Sequence, residues 1–490
     1  MRIFVVVGAI LLIAADAPDE ATRRWWGHVK ILAADNMEGR DTGSEGYRRA
    51  ARYVVEQFEK AGLKPAGESG YYQPVPLRAV RLRKEQSSIA LIDGERVTPL
   101  RIYQDIMVTP RVGMPVAITS QMIFAGDDVS GVDFTGKIAV TIGGGRARNL
   151  GGVGNLSIDN PRAIETPRWP VAYATVMSIV GKEHPSATGI AMRFNPAEAE
   201  KLFAGSGHTF AELVELAAAK KPLPTFALTD RIRAQFKVEA EALKSDNILA
   251  VLPGSWPSVA DEYVAVSAHL DGYGFGEPVK GDGIYNGAFD DSAYVAELIE
   301  LAAAYKRSGK APRRSLLFCV FTGEEKGLLG SDYFTSHFTI PKEKIIADLN
   351  LDYLRPIFPL KILTTLGLDE STLGEAARKA AEPLGIRIQE DSEPERRLFT
   401  RSDQYNFIRA GVPGIAFIFG YDKGSAEEAI YRKWYAERYH RPSDDLNQPI
   451  DFGAAAKFNA FFSRLVDEVA NAEERPRWRA GSQYAPKGVQ

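Results

Sequence analysis

The chain has 490 residues, 45% of them hydrophobic and 25% charged, which allows about three domains with ordinary globular cores. Sixty basic against 63 acidic residues leave a formal net charge of −3, and that balance excludes a general attraction to nucleic acid or anionic lipid. The single cysteine, Cys319, excludes an internal disulfide and a thiolate metal site, so a metal here must be held by His and carboxylates.

Met1-Arg2, the apolar run of residues 3–15 and the sequence Ala15-Asp16-Ala17 read as a secretory signal peptide over residues 1–17. The run is short for a bilayer span, and no later segment is apolar enough to anchor the chain. The expectation is an exported protein, periplasmic or extracellular, without stable membrane insertion once the leader is cut.

From Ala21 to Gly62 the pattern is helical, broken at D-T-G-S-E-G. In the second helix Ala50, Tyr53, Val54, Phe58 and Ala61 mark one apolar face, and Gly62 ends it. Tyr71–Leu82 alternates as a strand. Residues 101–235 then change character, with short apolar runs between Gly- and Asp-rich turns and helical stretches near 197–220, and read as an inserted β-rich module. Its run G-G-G-R-A-R-N-L-G-G-V-G lacks the Lys-Ser/Thr ending and the spacing of a phosphate loop, so a surface loop is expected.

Strands and helices alternate from Asn247 onward. N-I-L-A-V-L-P, Y-V-A-V-S-A-H, S-L-L-F-C-V-F, I-I-A-D-L-N-L-D, L-K-I-L-T-T-L and G-I-A-F-I-F-G read as strands. Helices fall at Ser292–Lys306, near 370–384 and 403–410, and from Phe452 to about Asn471. Such alternation implies an α/β three-layer sandwich, helices covering both faces of a mostly parallel mixed sheet. The expected organisation is residues 18–100 and 236–475 as one domain, 101–235 inserted in it, and 476–490 as a loosely ordered tail.

Sites on such sheets lie at the carboxyl ends of the strands, and these strands end in metal-type ligands. Tyr263–Ala268 runs into His269-Leu270-Asp271, and N-G-A-F-D-D places Asp290 and Asp291 at a helix start. The apolar run Ser315–Phe321 meets Glu324-Glu325, Ile345–Leu351 meets Asp352, and Y-H-R-P-S-D-D-L supplies Tyr439 and His440. Singly, each has a plain structural explanation, such as a helix cap for either aspartate. Together they need a shared reason, and a pair of zinc ions supplies it: nitrogen and oxygen ligands, a shared carboxylate and a nearby base. One of the two adjacent glutamates then binds metal and the other takes a proton from water.

The ordered series H-L-D, G-A-F-D-D, G-E-E-K-G-L-L-G-S, N-L-D and Y-H resembles the co-catalytic two-zinc peptidases related to aminopeptidase Y and glutamate carboxypeptidase II, whose fold is the zinc exopeptidase sandwich. L-A-A-D-N-M-E-G-R-D-T-G-S-E-G resembles the segment preceding their catalytic core, and residues 101–235 resemble the protease-associated domain often inserted there. The resemblance implies that His269 and Asp352 bind one zinc, Glu325 and His440 the other, and Asp290 bridges them. Asp290 is chosen over Asp291 as the fourth residue of Gly-Ala-x-Asp, with Glu300 at the matching helix position. It also implies that Glu324 is the general base and that Asp271 accepts from the far nitrogen of His269 and fixes its tautomer; Tyr439 matches a Tyr that helps hold an oxyanion in some relatives, with a packing residue an equal reading. Ser402-Asp403 matches a pair lining the site in relatives; a helix cap is an equal reading.

The departures are Asp291-Ser292-Ala293-Tyr294 in place of the usual Ser-Gly, and the flexible aromatic loop Gly272–Gly276. Both leave side-chain specificity open. The activity expected is that of an aminopeptidase acting on peptides. The alternatives are a glutaminyl cyclase, disfavoured by the short Lys326–Leu329 spacer, and a carboxypeptidase using Arg396, Arg397 and Arg401. A ligand-binding protein on a dead peptidase fold is disfavoured because all five ligands and the base are present.

Overall fold

The computed structural model describes residues 18–143, 150–163, 168–183 and 189–486. The expected signal peptide lies outside the described residues, as does the middle of the Gly-rich run at 143–154.

Local chemistry sets the helix ends. Asp19 caps Glu20–Leu32 by accepting from the Thr22 N–H, and Ser44 caps Glu45–Ala61 by accepting from the Tyr47 N–H. Gly62, at φ 82°, ends the second of these, and Gly309, at φ 64°, ends Ala293–Ser308, since only glycine takes the left-handed region without a Cβ penalty.

Among the described residues the larger sheet has ten strands. Its centre is parallel: Gly414–Phe419, Ile345–Asn350, Tyr263–His269 and Ser315–Phe321 lie side by side in that order. Antiparallel strands flank this centre, with Ile362–Leu366 beyond Gly414–Phe419, and Val238–Leu252, Tyr72–Leu82 and Thr175–Ile179 on the other side. The central strands are buried on both faces, which is why they read as unbroken apolar runs. Val264, Val266, Ala268, Leu316, Phe318 and Val320 face the core shared with the helices Glu20–Leu32, Glu45–Ala61, Ala293–Ser308 and Phe452–Asn471. Ala265, Leu317, Cys319 and Phe321 point the other way, against Phe334 and Phe407 of the helices Leu329–Ser336 and Gln404–Arg409. Three layers result. Because the central strands are parallel, their carboxyl ends meet along one edge.

A second sheet, of eight strands among the described residues, has its own core, including Phe124, Leu156, Phe194, Leu202 and Ile232. It begins at Ser88–Asp93, ahead of residue 101, because Ile89 and Leu91 are buried in that core as the strand pairs with Phe226–Gln235. Thr175–Ile179 leaves this region and joins the larger sheet beside Tyr72–Leu82, where Met177 and Ile179 pack on Val75 and Leu77. The chain therefore returns to the first sheet midway through residues 101–235.

Described residues of the tail pack against the domain, contrary to its loose reading. Trp478 forms a bridge with Ser371, its Nε1 donates to the Gly411 carbonyl at 3.2 Å, and Tyr484 packs edge-on against Phe399. Two aromatic rings give this Gly- and Arg-containing stretch partners that its composition does not reveal. No helix of the described residues is long and apolar enough to cross a membrane.

Candidate metal centre

His269 is the last residue of Tyr263–His269, and its ring is buried. Nδ1 lies 3.0 Å from the main-chain carbonyl of Asp271. With the proton on Nδ1 donated to that carbonyl, the Nε2 lone pair faces Asp290 Oδ1 at 3.5 Å and Asp352 Oδ1 at 3.9 Å. The expected role of the Asp271 side chain is thereby corrected. Its carboxylate stands 3.8 Å from Nδ1 and instead accepts from Thr42 Oγ1 and from the Glu324 N–H, both at 3.0 Å. The Asp271 carbonyl, brought closer by the tight His-Leu-Asp turn, is the nearer acceptor for Nδ1, and the carboxylate meets the main chain of the glutamate pair.

The second half forms around His440, whose Nε2 lies 3.3 Å from Asp290 Oδ2 and 3.3 Å from Glu325 Oε2. Thus His269, Asp290 and Asp352 form one group able to hold a cation, and Asp290, Glu325 and His440 form another, with ligand atoms within 4.8 Å in each. Asp290 belongs to both. Asp291 turns away, its Oδ2 accepting from the His269 N–H at 3.1 Å. The two glutamates divide as well: Glu325 goes to His440, while Glu324 Oε2 lies 4.0 Å from His269 Nε2.

His269 Nε2, Asp290 Oδ2 and Glu325 Oε1 are buried without a hydrogen-bond partner among the described residues. Orphaned polar atoms are costly in a protein interior, and a cation between the carboxylates would satisfy them together. A donor set of two imidazoles and carboxylates, with no thiolate, suits zinc. Burial pushes the Glu324 carboxyl well above its usual range; His269 opposes this, and the neighbouring Asp352 and Glu325 reinforce it. Burial acts to raise the Asp290 carboxyl as well, but the facing rings of His269 and His440 and the charge of Arg355 hold it well below the carboxylate range.

Several supporting residues carried no ligand-like sequence signal. Asp444 accepts the Phe289 and Asp290 N–H groups at 3.0 and 3.1 Å and so sets the shared aspartate. Arg40, fully buried, donates to the carbonyls of Leu32, Leu270, Asn286 and Gly287, tying the E-G-R segment to two loops of the site. Arg355 Nη2 sits 3.6 Å from Asp290 Oδ2. The Tyr273 hydroxyl lies 3.0 Å from His440 Nδ1; only the aromatic character of its loop hinted at this.

The remaining expected residues divide. Tyr439 stacks on His440 with ring centroids 3.7 Å apart. Ser402 accepts from Asn350 Nδ2 at 3.0 Å. Asp403 makes no side-chain cap bond to its helix and is buried beside the site, so the cap reading does not apply. Glu300 points away, paired with Arg24 and Arg307. Of the arginines considered for a carboxypeptidase pocket, Arg396 is paired with Glu393 at 3.0 Å.

Residues 247–466 match the model of peptidase family M28. Over 210 residues the chain is 27% identical to leupeptin-inactivating enzyme 1 of Streptomyces exfoliatus, covering 41% of this chain and 43% of that protein. Over 262 residues it is 34% identical to a probable zinc metalloprotease of Pyrenophora tritici-repentis, covering 47% and 58%. The chain thus spans about half the length of these curated relatives. Its fold resembles that of an aminopeptidase from Aneurinibacillus sp. strain AM-1, with a TM-score of 0.63, 18% identity and coverage of 93% and 95%. A zinc aminopeptidase from Bacillus subtilis is also similar, with a TM-score of 0.58, 17% identity and coverage of 96% and 98%.

Proposed function

We propose that this chain, a metallopeptidase of family M28, is an exported aminopeptidase that removes N-terminal residues from peptides and uses two zinc ions. The observation that carries the reading is Asp290 shared between two ligand groups, with Glu324 beside them. We assign His269 and Asp352 to one ion, Glu325 and His440 to the other, and Asp290 to both. Bound there, zinc would polarise the scissile carbonyl and acidify water.

Glu324 is the general base. It takes the proton of the attacking water as the oxygen adds to the carbonyl carbon, and returns that proton to the nitrogen as the C–N bond breaks. Asp271 positions Glu324 through its main-chain N–H. Tyr439, whose phenol burial keeps protonated, donates to the developing oxyanion. The carboxylates of Asp290, Asp352 and Glu324 favour a substrate ammonium beside the scissile bond, which selects the first peptide bond by position.

Residues 88–235 we read as a protease-associated module. Its segment 168–173 reaches the site: Arg441 donates to the Trp169 carbonyl at 2.7 Å, and the Tyr173 hydroxyl donates to Asp41 Oδ1 at 3.0 Å. Export is supported by the leader-like residues 1–17.

A panel of aminoacyl-anilides and short peptides tests the activity. Stepwise release from the N-terminus, abolished by acetylating the amine and little changed by amidating the C-terminus, is expected. Cleavage of acetylated peptides from the C-terminus would replace this reading with a carboxypeptidase, and pyroglutamate formation without hydrolysis would replace it with a cyclase.

A further inference from the structure

The loop Gly272–Gly276 places Tyr273 against His440, one of the two ligands assigned to a single ion. Its hydroxyl lies 3.0 Å from His440 Nδ1, and its ring centroid is 4.6 Å from that of His440. For His440 Nε2 to present a lone pair towards Asp290 and Glu325, the imidazole proton must reside on Nδ1, so the phenol oxygen accepts it. The ring is held on its other side: the Lys326 ammonium lies 4.8 Å from the Tyr273 centroid and 4.9 Å from that of Tyr173, and also meets the Tyr173 hydroxyl and Asp41.

We infer that Tyr273 is the positioning residue of the His440–Glu325 metal site: its hydroxyl sets the His440 tautomer, leaving the His269–Asp352 site untouched. The inference rests on the two-metal reading above. It makes the sites unequal in what supports them, since His269 is fixed by a main-chain carbonyl and His440 by a side-chain hydroxyl that can be removed without breaking the backbone.

The test is a zinc titration of the full chain, stripped of metal, against a chromogenic chelator. Wild type is expected to take up two ions. Tyr273→Phe, which keeps the ring over Lys326, is expected to weaken one binding step by about 10–100-fold, the usual scale for a lost partner of a metal ligand, and to leave the other step unchanged. Lys326→Gln, which keeps the hydroxyl, is expected to retain both wild-type steps. Unchanged binding by Tyr273→Phe would overturn the inference, as would an equal loss in Lys326→Gln, which would make loop packing the cause. Uptake of no zinc by wild type would instead overturn the two-metal reading itself.

Discussion

Asp444 holds Asp290 by its main chain, the two oxygens of one carboxylate accepting the Phe289 and Asp290 N–H groups at 3.0 and 3.1 Å. Asp444 is thus a residue that need touch no metal and yet sets the carboxylate common to both groups. Replacing Asp444 by Ala leaves two buried N–H groups without an acceptor, at roughly 1–3 kcal/mol each. Urea unfolding is expected to show that loss, and zinc analysis to show reduced occupancy of both sites. An Asp444→Ala protein with wild-type stability and metal content would remove Asp444 from this role.

Asp290→Ala is expected to lower zinc from about two ions per chain at both sites, because each group loses a ligand. Asp291→Ala is expected to spare most of the metal, since its carboxylate serves the His269 N–H. Elemental analysis of the two variants, purified side by side, distinguishes them; the opposite ranking would reassign the shared ligand to Asp291.

Glu324→Gln is expected to retain both metals while kcat falls by roughly two or more orders of magnitude, the scale of a lost general acid–base group. Glu325→Gln is expected to lose metal instead, because its Oε2 faces His440. Near-normal turnover by Glu324→Gln would show that the proton travels by another route.

Chelation is expected to abolish activity, and added zinc to restore it. A thiol reagent is expected to have no effect, as Cys319 is buried in the strand Ser315–Phe321 and burial raises its thiol well above the usual range. Inactivation by such a reagent with zinc still bound would contradict a purely metal-dependent site.

Some of this was written locally along the chain. Apolar runs mark Tyr263–His269 and Ser315–Phe321 because strands buried on both faces need no polar alternation. His269, Glu324, Glu325 and Asp352 could be picked out because each follows such a run, and parallel strands bring their carboxyl ends to one edge whatever the details of the loops. The helix start at Ser44 and stop at Gly62 are likewise short-range chemistry, a side-chain acceptor and a left-handed φ.

The tertiary structure alone decided the rest, because a hydrogen-bond partner is selected by differences of less than an ångström between groups far apart in sequence. His269 Nδ1 meets the Asp271 carbonyl at 3.0 Å while that residue's carboxylate is 3.8 Å away, and residue order cannot separate those two acceptors. Asp444 meets Asp290 across 154 positions and Tyr273 meets His440 across 167; no periodicity links such pairs. The return of Thr175–Ile179 to the larger sheet was hidden for the same reason, since its apolar residues suit either core and only the pairing with Tyr72–Leu82 settles which one buries them.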